Sequence, residues 1–355
     1  MSALHTTTRQ RTARARPPSM DANESAPVSH QRSVSELLEH PIFMKNVILP
    51  TEPINEMVGA MRRTVMLREQ GCCFTATSGY GKSYGLRMAE VLLRRMFPGV
   101  PIYRHIIDNE QVPSIRAFFK HFLLTVGVTD IKGETYDLRV RLVSQLEDVG
   151  LMSPMKLVVI LIDEAQEMAL QDFKFLKDIG NHLETVDVQL VVIMIGQDPD
   201  FEKTIQSLTR HGRLDLISRF ALRRLTFRGL QTREDFSGLL RLIDEQTYPH
   251  GSNCKWPEYF APHAWGNGFR MLDQLDPLLN AISESTPGGL THKGVSARQL
   301  FLAVRRFLLD FAEIDRQRIV VPAEIWKSCV DYALIQDAAI IADGRGRAHK
   351  QEVKL

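Results

Sequence analysis

Two short stretches carry the residue types and spacing that chemistry on a phosphate needs. The first, Ala76-Thr77-Ser78-Gly79-Tyr80-Gly81-Lys82-Ser83, follows the pattern G-x-x-x-x-G-K-[ST] with alanine in place of the first glycine. Gly79 and Gly81 let backbone N–H groups converge on phosphate oxygens, and a helix starting there would aim its positive end at them. Lys82 would neutralise the β and γ phosphates, and the Ser83 hydroxyl would sit on Mg2+. The second stretch, KLVVILIDEAQ, ends an apolar run in Asp163 and Glu164. Asp163 would hold Mg2+ through its water shell, and Glu164 would polarise an attacking water.

Weaker candidates lie downstream. The apolar run Val188–Ile195 leads into Gly196-Gln197, so Gln197 would reach a γ-phosphate or its water, or else be a plain loop glutamine. Arg210, Arg213 and Arg219 precede the next apolar run; they suit either phosphate charge in a neighbouring subunit or ordinary surface ion pairs. Arg270 stands at a helix start, where a cation opposes the helix dipole, which favours a functional reason such as contact with the nucleotide.

The elements that must position these residues alternate regularly. Cys72–Ala76, Pro101–Ile107, Leu157–Ile162, Val188–Ile195 and Leu222–Phe227 are apolar runs of strand length. Between them lie helices over Tyr84–Phe97, with Gly85, Ala89, Leu92, Leu93 and Met96 on one face, and over Phe173–Leu183. Ile115 to Val126 and Leu138 to Val149 also repeat at helical spacing. Apolar strands alternating with helices predict a parallel five-stranded sheet covered on both faces. After Phe227 only helices are expected. Thr232 and Asp235 form a capping-box pattern, Pro277 should bend or interrupt the helix that carries Met271 to Ile282, and a long helix follows with Leu300, Val304, Phe307, Leu308 and Phe311 on one face and Arg298, Arg305 and Arg306 elsewhere.

Length and composition agree with this division. The 355 residues suggest about two domains. A net charge of +2 excludes polyelectrolyte behaviour, so a nucleic acid would need a local basic surface. No run approaches the ~18 apolar residues of a membrane span. Cys72, Cys73, Cys254 and Cys329 offer no CxxC pair and read as buried thiols in a reducing compartment. We expect a flexible basic arm over 1–34, an α/β domain over 35–228, a helical lid over 229–342 and a polar tail over 343–355.

The phosphate loop, acidic strand end, polar strand tip, pre-strand arginine and lid arginine, in that order, resemble an AAA+ ATPase over roughly Ile54 to Ile282. The resemblance implies ATP and Mg2+ as cofactors, Thr77 to Ser83 as the nucleotide loop (Walker A), and Asp163 with Glu164 as Walker B. It further implies Gln197 as sensor 1, Arg219 as arginine finger and Arg270 as sensor 2. The LIDEAQ string and the small lid look most like transposition regulators of the TnsC/TniB kind. That would mean a bacterial cytoplasmic protein forming a homo-oligomeric ring or filament on double-stranded DNA, without sequence preference, and linking a target selector to a transposase. The implied DNA contacts are Arg116, Lys120, Lys132, Arg139 and Arg141. The alternatives are an ATPase of an ExeA-like secretion machine or of replication initiation, or a nucleotide-binding scaffold without turnover; the intact Glu164 speaks against the scaffold.

Overall fold

The computed structural model describes residues 32–44, 48–107, 114–286, 294–315, 321–322 and 324–335. Five strands form one sheet: β1 (Gly71–Ala76), β2 (Ile102–Ile106), β3 (Leu157–Asp163), β4 (Gln189–Gln197) and β5 (Arg224–Phe227). Every neighbouring pair is parallel and the spatial order is β2-β3-β4-β1-β5, as the alternation of runs and helices predicts. Burial explains the unbroken apolar runs. All seven residues of β3 are buried, with Val158, Ile160 and Ile162 on one face of the sheet and Leu157, Val159 and Leu161 on the other. Each fully buried Val, Leu or Ile side chain contributes about 1.5–3 kcal/mol. The edge strand β5 departs from this pattern. It begins two residues later than expected, Leu222 is 76% exposed, and only Phe227 of the strand is buried.

The helices of this layer are α3 (Glu52–Met66) and α4 (Lys82–Met96) on one face. On the other are α5 (Ile115–Thr125), α6 (Thr135–Met152), α7 (Leu170–Glu184) and α8 (Asp200–Arg210), after α1 (Val34–Glu39) and α2 (Pro41–Met44) at the start of the described chain. Helix α4 starts two residues before its expected position and buries Gly85, Leu86, Ala89 and Leu93, whereas Met96 points to solvent. Strand register sets the working edge. Ala76 pairs with Gln197 and Ile106 with Asp163, so the carboxyl ends of β1, β3 and β4 lie together.

A short turn, α9 (Leu214–Leu216), and a π-helical turn over Ile217–Ala221 lead into β5, and from Arg233 onward the elements among the described residues are all helices. The helical C-terminal region, where a lid is expected, holds α10 (Arg233–Glu245), α11 (Trp256–Phe260), α12 (Pro262–Gly266), α13 (Leu275–Ser285), α14 (Ala297–Ile314) and α15 (Glu324–Tyr332). The Thr232–Asp235 capping box forms: Thr232 Oγ1 accepts the Asp235 N–H at 3.2 Å and Asp235 accepts the Thr232 N–H at 2.9 Å. Pro277 does not break its helix. It occupies the first turn of α13, where its missing N–H costs nothing, and the interruption lies upstream in the 3-10 turn Met271–Gln274.

The chain is held earlier than the expected start of order. Ser33 caps α1, and Arg32 lies 3.9 Å over the Tyr259 ring and donates to its carbonyl at 2.8 Å. His40, fully buried, sits among Tyr248, Trp256, Tyr259 and Phe260, so this N-terminal strap is packed onto the lid. Burial among these rings pulls the imidazole down to about 3. Most of the expected basic arm, the end of the expected lid and the polar tail lie outside the described residues. All four cysteines are free thiols; three are buried and Cys254 is half-buried.

Candidate nucleotide site

The phosphate loop has the geometry its glycines require. Ala76 ends β1 buried and without positive φ, so alanine at the first-glycine position introduces no strain. Gly79 and Gly81 have φ of +82° and +92°, in the left-handed region that other residues adopt only under strain. Gly81 caps α4, which places Lys82 and Ser83 in the first turn of a fifteen-residue helix. A cleft of about 600 Å3 opens over this loop and is lined by Ser78 to Ser83. Thr77 of the same loop does not reach the cleft wall.

Lys82 bridges the two halves of the site. Its Nζ forms an ion pair with Glu164 and lies 3.7 Å from Asp163 Oδ1. Asp163 is 2% exposed, at the end of the fully buried β3, and its Oδ1 accepts the Glu164 N–H at 3.0 Å. Glu164 is held in left-handed backbone (φ +56°) at the cleft wall. Desolvation works to raise its pKa, but hydrogen bonds from Lys82 and Gln166, with the Lys82 charge, outweigh it and hold the carboxyl below its ordinary value. Gln197, at the end of β4, lines the same cleft. The Asp163 carboxylate and the Ser83 hydroxyl are hard oxygen donors, a set that fits Mg2+.

The remaining walls come from two other parts of the chain. The lid helix α14 sits on the phosphate loop: the Arg298 N–H and the Ser296 hydroxyl both donate to the Gly79 carbonyl, at 3.0 and 2.9 Å. The Tyr80 hydroxyl returns the contact by donating to Gly294 O at 2.9 Å. Arg298 and Arg305 of α14 line the cleft. Arg305 is half-buried, its Nε has no hydrogen-bond partner among the described residues, and desolvation lowers its pKa. Ile48 and Leu49, with Pro53 and Ile54 at the start of α3, supply an apolar shelf.

Two expected arginines lie elsewhere. Arg270 does not line the cleft; its guanidinium stacks 3.6 Å over Trp265 and donates to the carbonyls of Trp265 and Phe269. It does not oppose a helix dipole either, because Asp244 accepts the N–H groups of Met271 and Leu272 and so caps that turn. Arg219 is turned inward: it donates to Lys177 O at 3.3 Å and pairs with Glu184 at 3.6 Å, with its side chain 14% exposed. Arg213 is bound to Asp215 through two nitrogens, whereas Arg210 at the end of α8 is exposed. Of the three, Arg210 is the one presented to solvent.

The basic residues of α5 and α6 are partly committed. Arg116 donates to Gly133 O, Arg141 donates to the carbonyls of Asp130 and Lys132, and Arg139 lies 3.8 Å from Asp178. These contacts gather Arg116, Arg141 and the exposed Lys132 around one loop. Lys120 is half-buried on α5.

Sheet order, phosphate loop, acidic strand end and helical lid together define an α/β core of AAA+ fold. Residues 66–205 match the model of a family described as an AAA domain. No curated protein matches the chain. Among solved structures it is similar to the ORC2 protein of Aeropyrum pernix, solved as ADPNP-ADP complexes, with TM-score 0.56, 10% identity, and coverage of 83% of this chain and 72% of that one. Similar too are Cdc6p from Pyrobaculum aerophilum (TM-score 0.49, 14% identity, 78% and 67% covered) and the Aeropyrum pernix ORC1 protein in complex with DNA (0.47, 15%, 83% and 68%). At 10% identity the likeness to the ORC2 protein is one of fold alone.

Proposed function

We propose that this chain is a Mg2+-dependent ATPase of the AAA+ type whose nucleotide state sets the hold between its phosphate loop and its lid. One observation carries the reading: a single cleft brings Lys82, Glu164 and Gln197 together with Arg298 and Arg305 of the lid. The loop N–H groups receive the phosphates, and the apolar shelf at Ile48, Leu49 and Ile54 takes the base. Lys82 exchanges its Glu164 partner for the β and γ phosphates. Glu164 is then free to accept the proton of an attacking water as the bond from the γ-phosphorus to the bridging oxygen breaks. Arg305, half-buried with an unpartnered Nε, is the lid residue best placed to gain from a bound anion, and it takes the role expected of Arg270. Ser83 and Asp163 would hold Mg2+, which neutralises phosphate charge when bound.

The finer reading is assembly of several copies on double-stranded DNA, with Arg210 offered to a neighbouring subunit. The cluster of Arg116, Lys132 and Arg141 supports contacts to the phosphate backbone that do not read sequence. Linkage of a target selector to a transposase rests on the LIDEAQ resemblance alone. The initiator-type alternative accords with the fold likeness to ORC2. Anisotropy of a labelled random-sequence duplex, with and without a slowly hydrolysed ATP analogue across a salt series, tests the DNA reading. Salt-sensitive, nucleotide-dependent binding supports it; absence of binding by a protein that hydrolyses ATP overturns it in favour of a protein-only machine.

A further inference from the structure

Gln166 ends the LIDEAQ string, and the phosphate chemistry described above gives it no task. Its side chain links the residue that follows β3 to the last residue of β4, both of which line the cleft. Nε2 donates to Glu164 Oε2 at 2.6 Å, and Oε1 accepts the backbone N–H of Gln197 at 2.8 Å. The amide orientation is fixed by chemistry. A backbone N–H only donates, so Gln166 must turn its oxygen to Gln197, which leaves the NH2 group for the carboxylate. The backbone of Gln166 is itself anchored, because Thr204 Oγ1 of α8 donates to its carbonyl at 3.1 Å. Glu164, two residues before it, is the one non-glycine residue with positive φ on the cleft wall among the described residues. Left-handed backbone at a carboxylate persists only where its surroundings hold it.

We propose that Gln166 is a positioning residue for Glu164, tying one carboxylate oxygen to the tip of β4 while the other stays available. This rests on the ATPase reading above. The two oxygens of Glu164 have different partners: Oε1 faces Lys82 and Oε2 faces Gln166. When Lys82 turns to a phosphate, Oε1 is released to a water while Oε2 remains fixed, so the base keeps its aim. The same amide couples Glu164 to Gln197. A ligand that displaces the end of β4 is thereby felt at the carboxylate.

The experiment compares steady-state ATP hydrolysis and fluorescent-ATP binding for the full chain, Gln166→Leu and Gln166→Glu. Leucine removes both hydrogen bonds, and glutamate keeps an acceptor for Gln197 while removing the donor to Glu164. Both variants are expected to lose about tenfold or more in kcat, and the uncharged Gln166→Leu to keep KM and nucleotide Kd within about twofold of the parent. A kcat within twofold of the parent in Gln166→Glu would overturn the inference, since the donor to Glu164 would then be dispensable. So would a loss in Gln166→Leu that appears equally in KM and Kd, the mark of a general disturbance of the site. If the parent hydrolyses ATP and Lys82→Ala does not, the reading stands whatever Gln166 does. A parent with no Mg2+-dependent turnover overturns both.

Discussion

Lys82 and Glu164 are ion-paired across the cleft, the lysine from the first turn of α4 and the glutamate from the end of β3. The lysine expected on phosphate and the carboxylate expected on water therefore neutralise each other, and on the proposed reading a nucleotide would exchange one partner for another.

Glu164→Gln tests that exchange. The variant loses the charge that competes for Lys82, so nucleotide Kd should fall severalfold below the parent value. Turnover should fall by about 100-fold or more, because the general base is lost. Fluorescent-ATP titration beside a phosphate-release assay reads both numbers. Unchanged affinity would mean that the pair does not compete with phosphate.

Arg305 carries a partly desolvated charge with an unpartnered Nε. Such a group costs stability until an anion reaches it. Arg305→Leu should leave the nucleotide-free melting temperature equal to or above that of the parent. ATP affinity should drop by about tenfold, as expected for a charge-assisted hydrogen bond. Arg270→Ala should leave affinity unchanged, since that guanidinium lies on Trp265.

Arg228 fastens the junction between the sheet and the lid. It pairs with Asp235 of α10, whose side chain is 1% exposed, and reaches Glu56 of α3. Arg228→Ala leaves Asp235 only its backbone donors and should cost about 2–3 kcal/mol in urea unfolding. Burial works to raise the Asp235 pKa, but Arg228 and the backbone donors hold it below the ordinary value. A depressed folded-state value means the contribution is complete above about pH 4 and is lost as pH falls through the folded value. The variant should show a shallower loss of stability in that acid window.

Much of the molecule was legible because its signals are local. The phosphate loop needs glycines at 79 and 81 for backbone reasons, and Asp163 and Glu164 follow a run whose burial on both faces forbids polar residues. The arginines were illegible for the opposite reason. Arg298 and Arg305 stand seven residues apart on α14, so they share a face, but only the docking of the Ser296–Arg298 turn on Gly79 aims that face at the cleft. Arg219 has a suggestive place before β5, yet Glu184 and the Lys177 carbonyl turn it inward. Partners far along the chain decide such outcomes, and spacing does not carry them.

That difference yields a paired expectation. Arg219→Ala should lower the melting temperature by a few degrees through loss of a largely buried contact. Arg210→Ala should leave the melting temperature unchanged and reduce turnover only at protein concentrations where copies associate. Thermal scans and a concentration series of ATPase rates separate the two. Loss of turnover in Arg210→Ala that does not depend on concentration would place its action within one chain.

The central claim is that this cleft binds MgATP through Lys82. Isothermal titration of MgATP into the full chain and into Lys82→Ala tests it most directly. One site per chain on the parent and at least a hundredfold weaker binding by the variant is the predicted result. Equal binding by the two proteins, or none by the parent, would contradict the account.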